Sequence, residues 1–188
     1  MDITICKLTK NLVNDFLNFF DNIAFTDNEE WSGCYCCYYH FNSEAWEQQT
    51  KEGNRQAAIK LIQEGKMKGY LAFQEGKPVG WINVNDKVNY SLLLEDNNLR
   101  DGNDEKVGSI VCFIIAPEYR NKGIASRILK VICNDYTEEG YDYLEGYPRK
   151  GELTCAELYH GPLSMYEKAG FVLYKTLDNY DIVRRKLK

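Results

Sequence analysis

Two stretches hold residue types that could do chemistry. The first, "WSGCYCCYYH" at residues 31–40, packs three cysteines, three tyrosines, a tryptophan and one of the chain's two histidines into ten positions. Cys34-x-x-Cys37-x-x-His40 supplies three possible zinc ligands. A structural zinc site takes four, usually as two spaced pairs. The remaining candidates, Cys112, Cys133, Cys155 and His160, contain no second Cys-x-x-Cys. A thioredoxin-type redox site needs a strand before the cysteines and a helix directly after, and aromatic and β-type residues stand there instead. No metal is therefore expected, which leaves open whether the aromatic side chains fill core or line a pocket.

The second stretch, "APEYRNKGIAS" at residues 116–126, joins a strongly apolar strand, "VGSIVCFII", to an amphipathic helix with Ile124, Ile128, Val131 and Ile132 on one side. A helix N-terminus presents unpaired N–H groups and partial positive charge. Gly123 and Ala125 lack bulk, so an anion such as a pyrophosphate can approach the backbone closely. Arg120 or Lys122 can add charge or point to solvent. The spacing alone also describes an ordinary strand–helix connection.

The elements that must position these stretches follow from periodicity. "ITICKL" alternates as a first strand. "TKNLVNDFLNFFDNIAF" has helical spacing with Thr9 as its expected cap, Ser43 is the expected cap of "EAWEQQ", and "NRQAAIKLIQEGK" is a further helix ending at Gly65. "YLAFQEGKPVGWINV" reads as two strands about a Gly76 turn, and "EDNNLRDGNDEK" as a mobile loop. After the central strand and helix come the strand "YDYLEGY", the short helix "GPLSMYEKAG" and an antiparallel pair, "FVLYKTL" and "YDIVRRKL". This order is that of a mixed α/β sandwich with helices on a central sheet.

Composition narrows the function. The 188 residues suit one domain, 1–188, with 44% apolar and 27% charged residues. No apolar run approaches the ~20 residues of a membrane span, and the N-terminus has no signal-peptide core, so a cytoplasmic protein with reduced thiols is expected. Seven cysteines, odd in number and unevenly spread, make a poor disulfide framework. A formal charge of −5 without a Lys/Arg stripe argues against nucleic acid as a partner; it serves solubility first and would also suit an amine-bearing partner.

Arg120-x-x-Gly123-x-Ala125 between strand and helix, the approach "FIIAPEYR", and "SMYEKAGF" about forty residues on together resemble the GNAT N-acetyltransferase family, whose element order also matches. A dinucleotide-binding Rossmann unit would need a third glycine and an acidic ribose reader, which are missing. The resemblance implies a mostly antiparallel sheet splayed between strands 4 and 5, and acetyl-CoA as co-substrate. It further implies pantetheine contacts to the backbone of Phe113, Ile114 and Ile115, and pyrophosphate on the turn Arg120, Asn121, Lys122, Gly123, Ile124, Ala125 and Ser126. Tyr166 matches the family tyrosine near the CoA sulfur and is the expected proton donor. The central strand lacks the carboxylate that many relatives carry, so the base stays open between Glu145, His160 and water. Trp31, Tyr35, Tyr38 and His40 are the expected acceptor wall. The resulting expectation is an N-acetyltransferase, monomer or homodimer, acting on a small-molecule or peptide amine by direct transfer. The alternatives are a CoA-binding module without turnover and a zinc-binding interaction protein.

Overall fold

The computed structural model describes residues 2–100, 104–154 and 157–188. Seven strands form one sheet: β1 (Thr4–Lys7), β2 (Gly69–Gln74), β3 (Lys77–Asp86), β4 (Val107–Ile115), β5 (Tyr143–Gly146), β6 (Val172–Thr176) and β7 (Asp181–Lys186). Their order is β1-β2-β3-β4-β5-β7-β6, and every neighbouring pair is antiparallel except β4 with β5. The six helices are α1 (Val13–Asn22), α2 (Ser43–Glu47), α3 (Lys51–Gln63), α4 (Ser91–Glu95), α5 (Ile124–Glu138) and α6 (Leu163–Lys168). No helix among the described residues is long and apolar enough to cross a membrane.

Strand alternation sends successive side chains to opposite faces. Leu71 and Trp81 join a core with Phe16, Phe19 and Phe20 of α1 and Ile62 of α3. Their neighbours Ala72 and Ile82 join a second core with Ile128, Leu129 and Ile132 of α5 and Tyr166 of α6. The sheet is thus covered on both faces, as the element order predicts.

Alternation breaks once in β4. Ile110 and Phe113 face the α5 side, whereas Val111 and Cys112 both face the α1 side. Asn83 pairs with Cys112 and Val84 with Ile110, so Val111 is the extra residue of a β-bulge. Pairing of β4 with β5 covers only Val107–Ile110 against Tyr143–Gly146. Beyond Gly146 no strand among the described residues faces β4 on that side, although β4 runs on to Ile115. The sheet forks here.

Two expected caps differ. The α2 cap is Asn42, whose Oδ1 accepts from the Ala45 N–H at 2.8 Å, while the Ser43 hydroxyl donates to Glu95 at 2.5 Å. Thr9 precedes the first helical turn but makes no side-chain cap bond. Within the polar stretch 95–106, residues 101–103 lie outside the described residues; residue 95 closes α4, which the sequence reading did not anticipate.

Candidate active site

The site is built on the fork. The freed half of β4, Cys112–Ile115, leads through Ala116 into the turn Pro117–Tyr119 and then to α5. Gly123 is the N-cap of α5 at φ +75°, and Asn121 has φ +60°. Glycine adopts that region without penalty, and asparagine tolerates it better than most residues. A glycine cap offers no side-chain oxygen, so the N-cap residue makes no side-chain bond to the first turn of α5. The uncapped N–H groups therefore lie at the end of a strand whose own edge is open. Ile124 is buried in the core beneath the turn, while Lys122 lies over the Tyr119 ring at 5.3 Å. The Arg120 Nε donates to the Ile115 carbonyl at 3.1 Å, and both of its terminal nitrogens donate to the Asp27 carboxylate.

Beside the open edge is a cavity of about 550 Å³. Cys112, Phe113, Ile114, Ile115 and Arg120 line one side, and Trp31, Cys34, Cys36, Tyr38, Tyr39, Trp46 and Tyr159 the other. Of the four residues expected as an acceptor wall, Trp31 and Tyr38 line this cavity. Tyr35 and His40 do not. Tyr35 is 1% exposed, stacked on Phe20 in the core, with its hydroxyl donating to Asp21 at 2.5 Å. Its backbone takes φ +45°, as Cys36 takes +53°, and this left-handed kink turns Tyr35 inward while Cys34 and Cys36 line the cavity. His40 packs against the Tyr90 ring at 5.2 Å and lines neither cavity.

Among the described residues no group of three or more His, Cys, Asp or Glu is placed to hold an ion. Cys155 lies outside the described residues. The Cys37 thiol lies 3.4 Å from the Asn54 carbonyl and 3.6 Å from that of Tyr35. Burial, with Cys36 nearby, pushes the Cys34 thiol up to about 12. The Cys112 thiol is also pushed well up, by a hydrogen bond with Cys36 and by burial.

The three candidate catalytic residues converge on the fork with different surroundings. Tyr166 of α6 is fully buried; its ring lies over Gly146, where a Cβ would come within 2.4 Å of it. Its hydroxyl donates to the His160 carbonyl at 2.8 Å, and burial raises its pKa, so it stays protonated. The His160 Nε2 lies 3.0 Å from the Tyr39 hydroxyl, and its Nδ1 is buried without a partner. Burial holds the His160 imidazole down to about 3, with the Arg149 charge adding to the effect. Glu145, the other candidate base, is enclosed by charged partners. Its side chain is fully buried, and its oxygens take Lys87 Nζ at 2.7 Å, Arg184 Nε at 2.5 Å and the Tyr147 hydroxyl at 2.7 Å. A carboxylate so engaged ties β5 to Arg184 of β7 and to Lys87 after β3. Tyr39, which shares a wall with both cavities of the site and touches His160, carries no signal that separates it from its neighbouring tyrosines in the sequence.

The model of the acetyltransferase (GNAT) family matches residues 25–171, from the loop after α1 to the start of β6. A search of curated proteins found no match. Among solved structures, the N-acetyltransferase from Staphylococcus aureus Mu50 aligns at 14% identity over 100% of both chains, with a TM-score of 0.59. The GNAT acetyltransferase from Streptococcus pneumoniae aligns at 14% identity over 98% of this chain and 99% of its own, with a TM-score of 0.58. The PaiA N-acetyltransferase from Thermoplasma acidophilum, solved in complex with coenzyme A, aligns at 18% identity over 99% of both, with a TM-score of 0.56. The forked sheet, the bulged fourth strand and the glycine-capped turn agree with the family match over most of the chain: the protein belongs to the GNAT acetyltransferase family.

Proposed function

We propose that the protein is an N-acetyltransferase that moves the acetyl group of acetyl-CoA directly to an amine. The observation that carries this reading is the continuity of the open β4 edge with the uncapped N-terminus of α5. An extended amide chain suits the first, because its amides can complete a strand edge that no β-strand completes. A pyrophosphate suits the second. Acetyl-CoA has both, and supplies an activated acyl group on a thiol that departs.

The chain's own residues do the rest. The backbone of Phe113, Ile114 and Ile115 orients the acyl arm, and the turn from Arg120 to Ser126 holds the phosphates. Tyr166 keeps a proton at its hydroxyl beside the fork and is the donor to the departing sulfur. The raised thiols of Cys34 and Cys112 hold little thiolate at neutral pH, which disfavours an acetyl-cysteine and favours direct transfer. With Glu145 held by two cations, proton loss from the amine goes to water.

The test is thiol release from acetyl-CoA across an amine library. Amine-dependent release supports the reading. A CoA-binding module without turnover, the rival that the engagement of Glu145 favours, would bind acetyl-CoA and release no thiol with any amine.

A further inference from the structure

Two cavities open beside the fork and share the wall of Tyr38, Tyr39 and Tyr159. Each lining holds two carboxylates and one guanidinium, Asp27, Glu30 and Arg120 in the larger and Glu95, Asp96 and Arg149 in the smaller, and they differ in how the guanidinium is placed. In the larger, of about 550 Å³, the one lining cation among the described residues is Arg120, and its nitrogens are taken by Asp27 and the Ile115 carbonyl. Glu30 also lines it and is exposed, with no ion pair among the described residues. The lining thus carries two carboxylates against one engaged guanidinium. Trp31, Tyr38 and Trp46 give it aromatic faces, beside Cys34, Ile114 and Ile115. The smaller cavity, of about 440 Å³, has the exposed Arg149 at its rim, 5.8 Å from the Tyr159 ring.

Resting on the acetyl-transfer reading above, we infer that the acceptor is a monoamine with an aromatic or similarly apolar body and no carboxylate, bound on the side of the larger cavity lined by Trp31, Tyr38 and Trp46, opposite the β4 edge given to the acyl arm. Aromatic faces attract a cation through the ring quadrupole while they bury an apolar body. The uncompensated charge of Glu30 favours an ammonium at the mouth and opposes a carboxylate. An α-amino acid would bring a carboxylate into a cavity whose one guanidinium is already engaged, and a desolvated charge without a partner is costly. The ammonium sheds its proton to water before attack, so the mouth collects the charged form and the apolar interior favours the neutral one.

Binding calorimetry on the full chain tests this without relying on turnover. The probes are 2-phenylethylamine, its neutral counterpart 2-phenylethanol, and phenylalanine, each titrated into the protein alone and into protein saturated with CoA. The amine is expected to bind at least ~10-fold more tightly than phenylalanine, and more tightly than the alcohol. The exposed Glu30→Gln should narrow the amine–alcohol gap and leave the alcohol unchanged, and Trp31→Ala should weaken both. Phenylalanine binding as tightly as the amine would overturn the inference, and loss of that binding in Arg149→Gln would move the acceptor to the smaller cavity. Binding of CoA with no heat from the amine at millimolar concentration would overturn the inference alone. Absence of heat from CoA itself would overturn the reading on which it rests.

Discussion

The Tyr166 hydroxyl donates to the His160 carbonyl at 2.8 Å, and the ring that carries it covers Gly146, the residue at which β5 parts from β4. A phenol is thereby fixed at the fork, on the segment that also carries the Tyr39–His160 contact. Proton donation and positioning make different predictions for its removal. Tyr166→Phe keeps the ring and deletes the donor. As the acid, its loss should slow single-turnover acetyl transfer at saturating acetyl-CoA by ~10²-fold or more, with little change in binding. The deserted His160 carbonyl should also lower stability by roughly 1–3 kcal/mol, read by denaturant titration. Equal single-turnover rates would remove the acid role and leave positioning.

Glu145 is predicted to matter for stability and not for chemistry. Glu145→Gln leaves Lys87 and Arg184 facing a neutral amide in a buried place, and breaking such a group typically costs about 3–5 kcal/mol. The melting temperature should fall clearly, while single-turnover transfer, expressed per folded molecule, stays within a few-fold of wild type. A normal melting temperature with transfer slowed ~10²-fold would instead make Glu145 the base.

The histidines set the acid side of the stability curve. Burial holds His160 down to about 3 and His40 to about 4, against an ordinary value of 6.5. Between those values and 6.5 the unfolded chain binds protons that the folded one does not. Stability from these groups is therefore full above pH 6.5 and falls as pH drops through that window, by at most roughly 1.4 kcal/mol per pH unit for each group. Melting temperatures at pH 7, 6 and 5 should decline, and less steeply in His160→Gln. Equal slopes in the two proteins would show that His160 titrates normally.

Local features were legible from sequence, and features made by distant residues were not. The turn from Arg120 to Ala125 depends on a glycine cap and a following amphipathic helix, and both are contiguous. Glu145 could not be read, because its meaning comes from Lys87 at one end of the chain's middle and Arg184 near its terminus. Tyr35 and Tyr38 are alike in composition and neighbourhood. What separates core from wall is the left-handed backbone at Tyr35 and Cys36, which nothing in those residue types announces. The choice between Asn42 and Ser43 as cap turned on the contact of Ser43 with Glu95, 52 residues away.

The measurement that bears most directly on the CoA site is an acetyl-CoA titration of wild type and Gly123→Val. Apart from its two chain neighbours, nothing among the described residues lies within 4 Å of where a side chain would project from Gly123, so the variant has room. It nevertheless places a β-branched residue at φ +75°, at a cost of about 1–2 kcal/mol or more, directly at the uncapped N-terminus of α5. Wild type is predicted to bind acetyl-CoA saturably, and the folded variant to bind it at least ~10-fold more weakly, since bulk and a reshaped turn both oppose the approach of a phosphate. Undiminished affinity in a folded Gly123→Val protein, or no binding to wild type, would contradict the assignment of this turn to the phosphates.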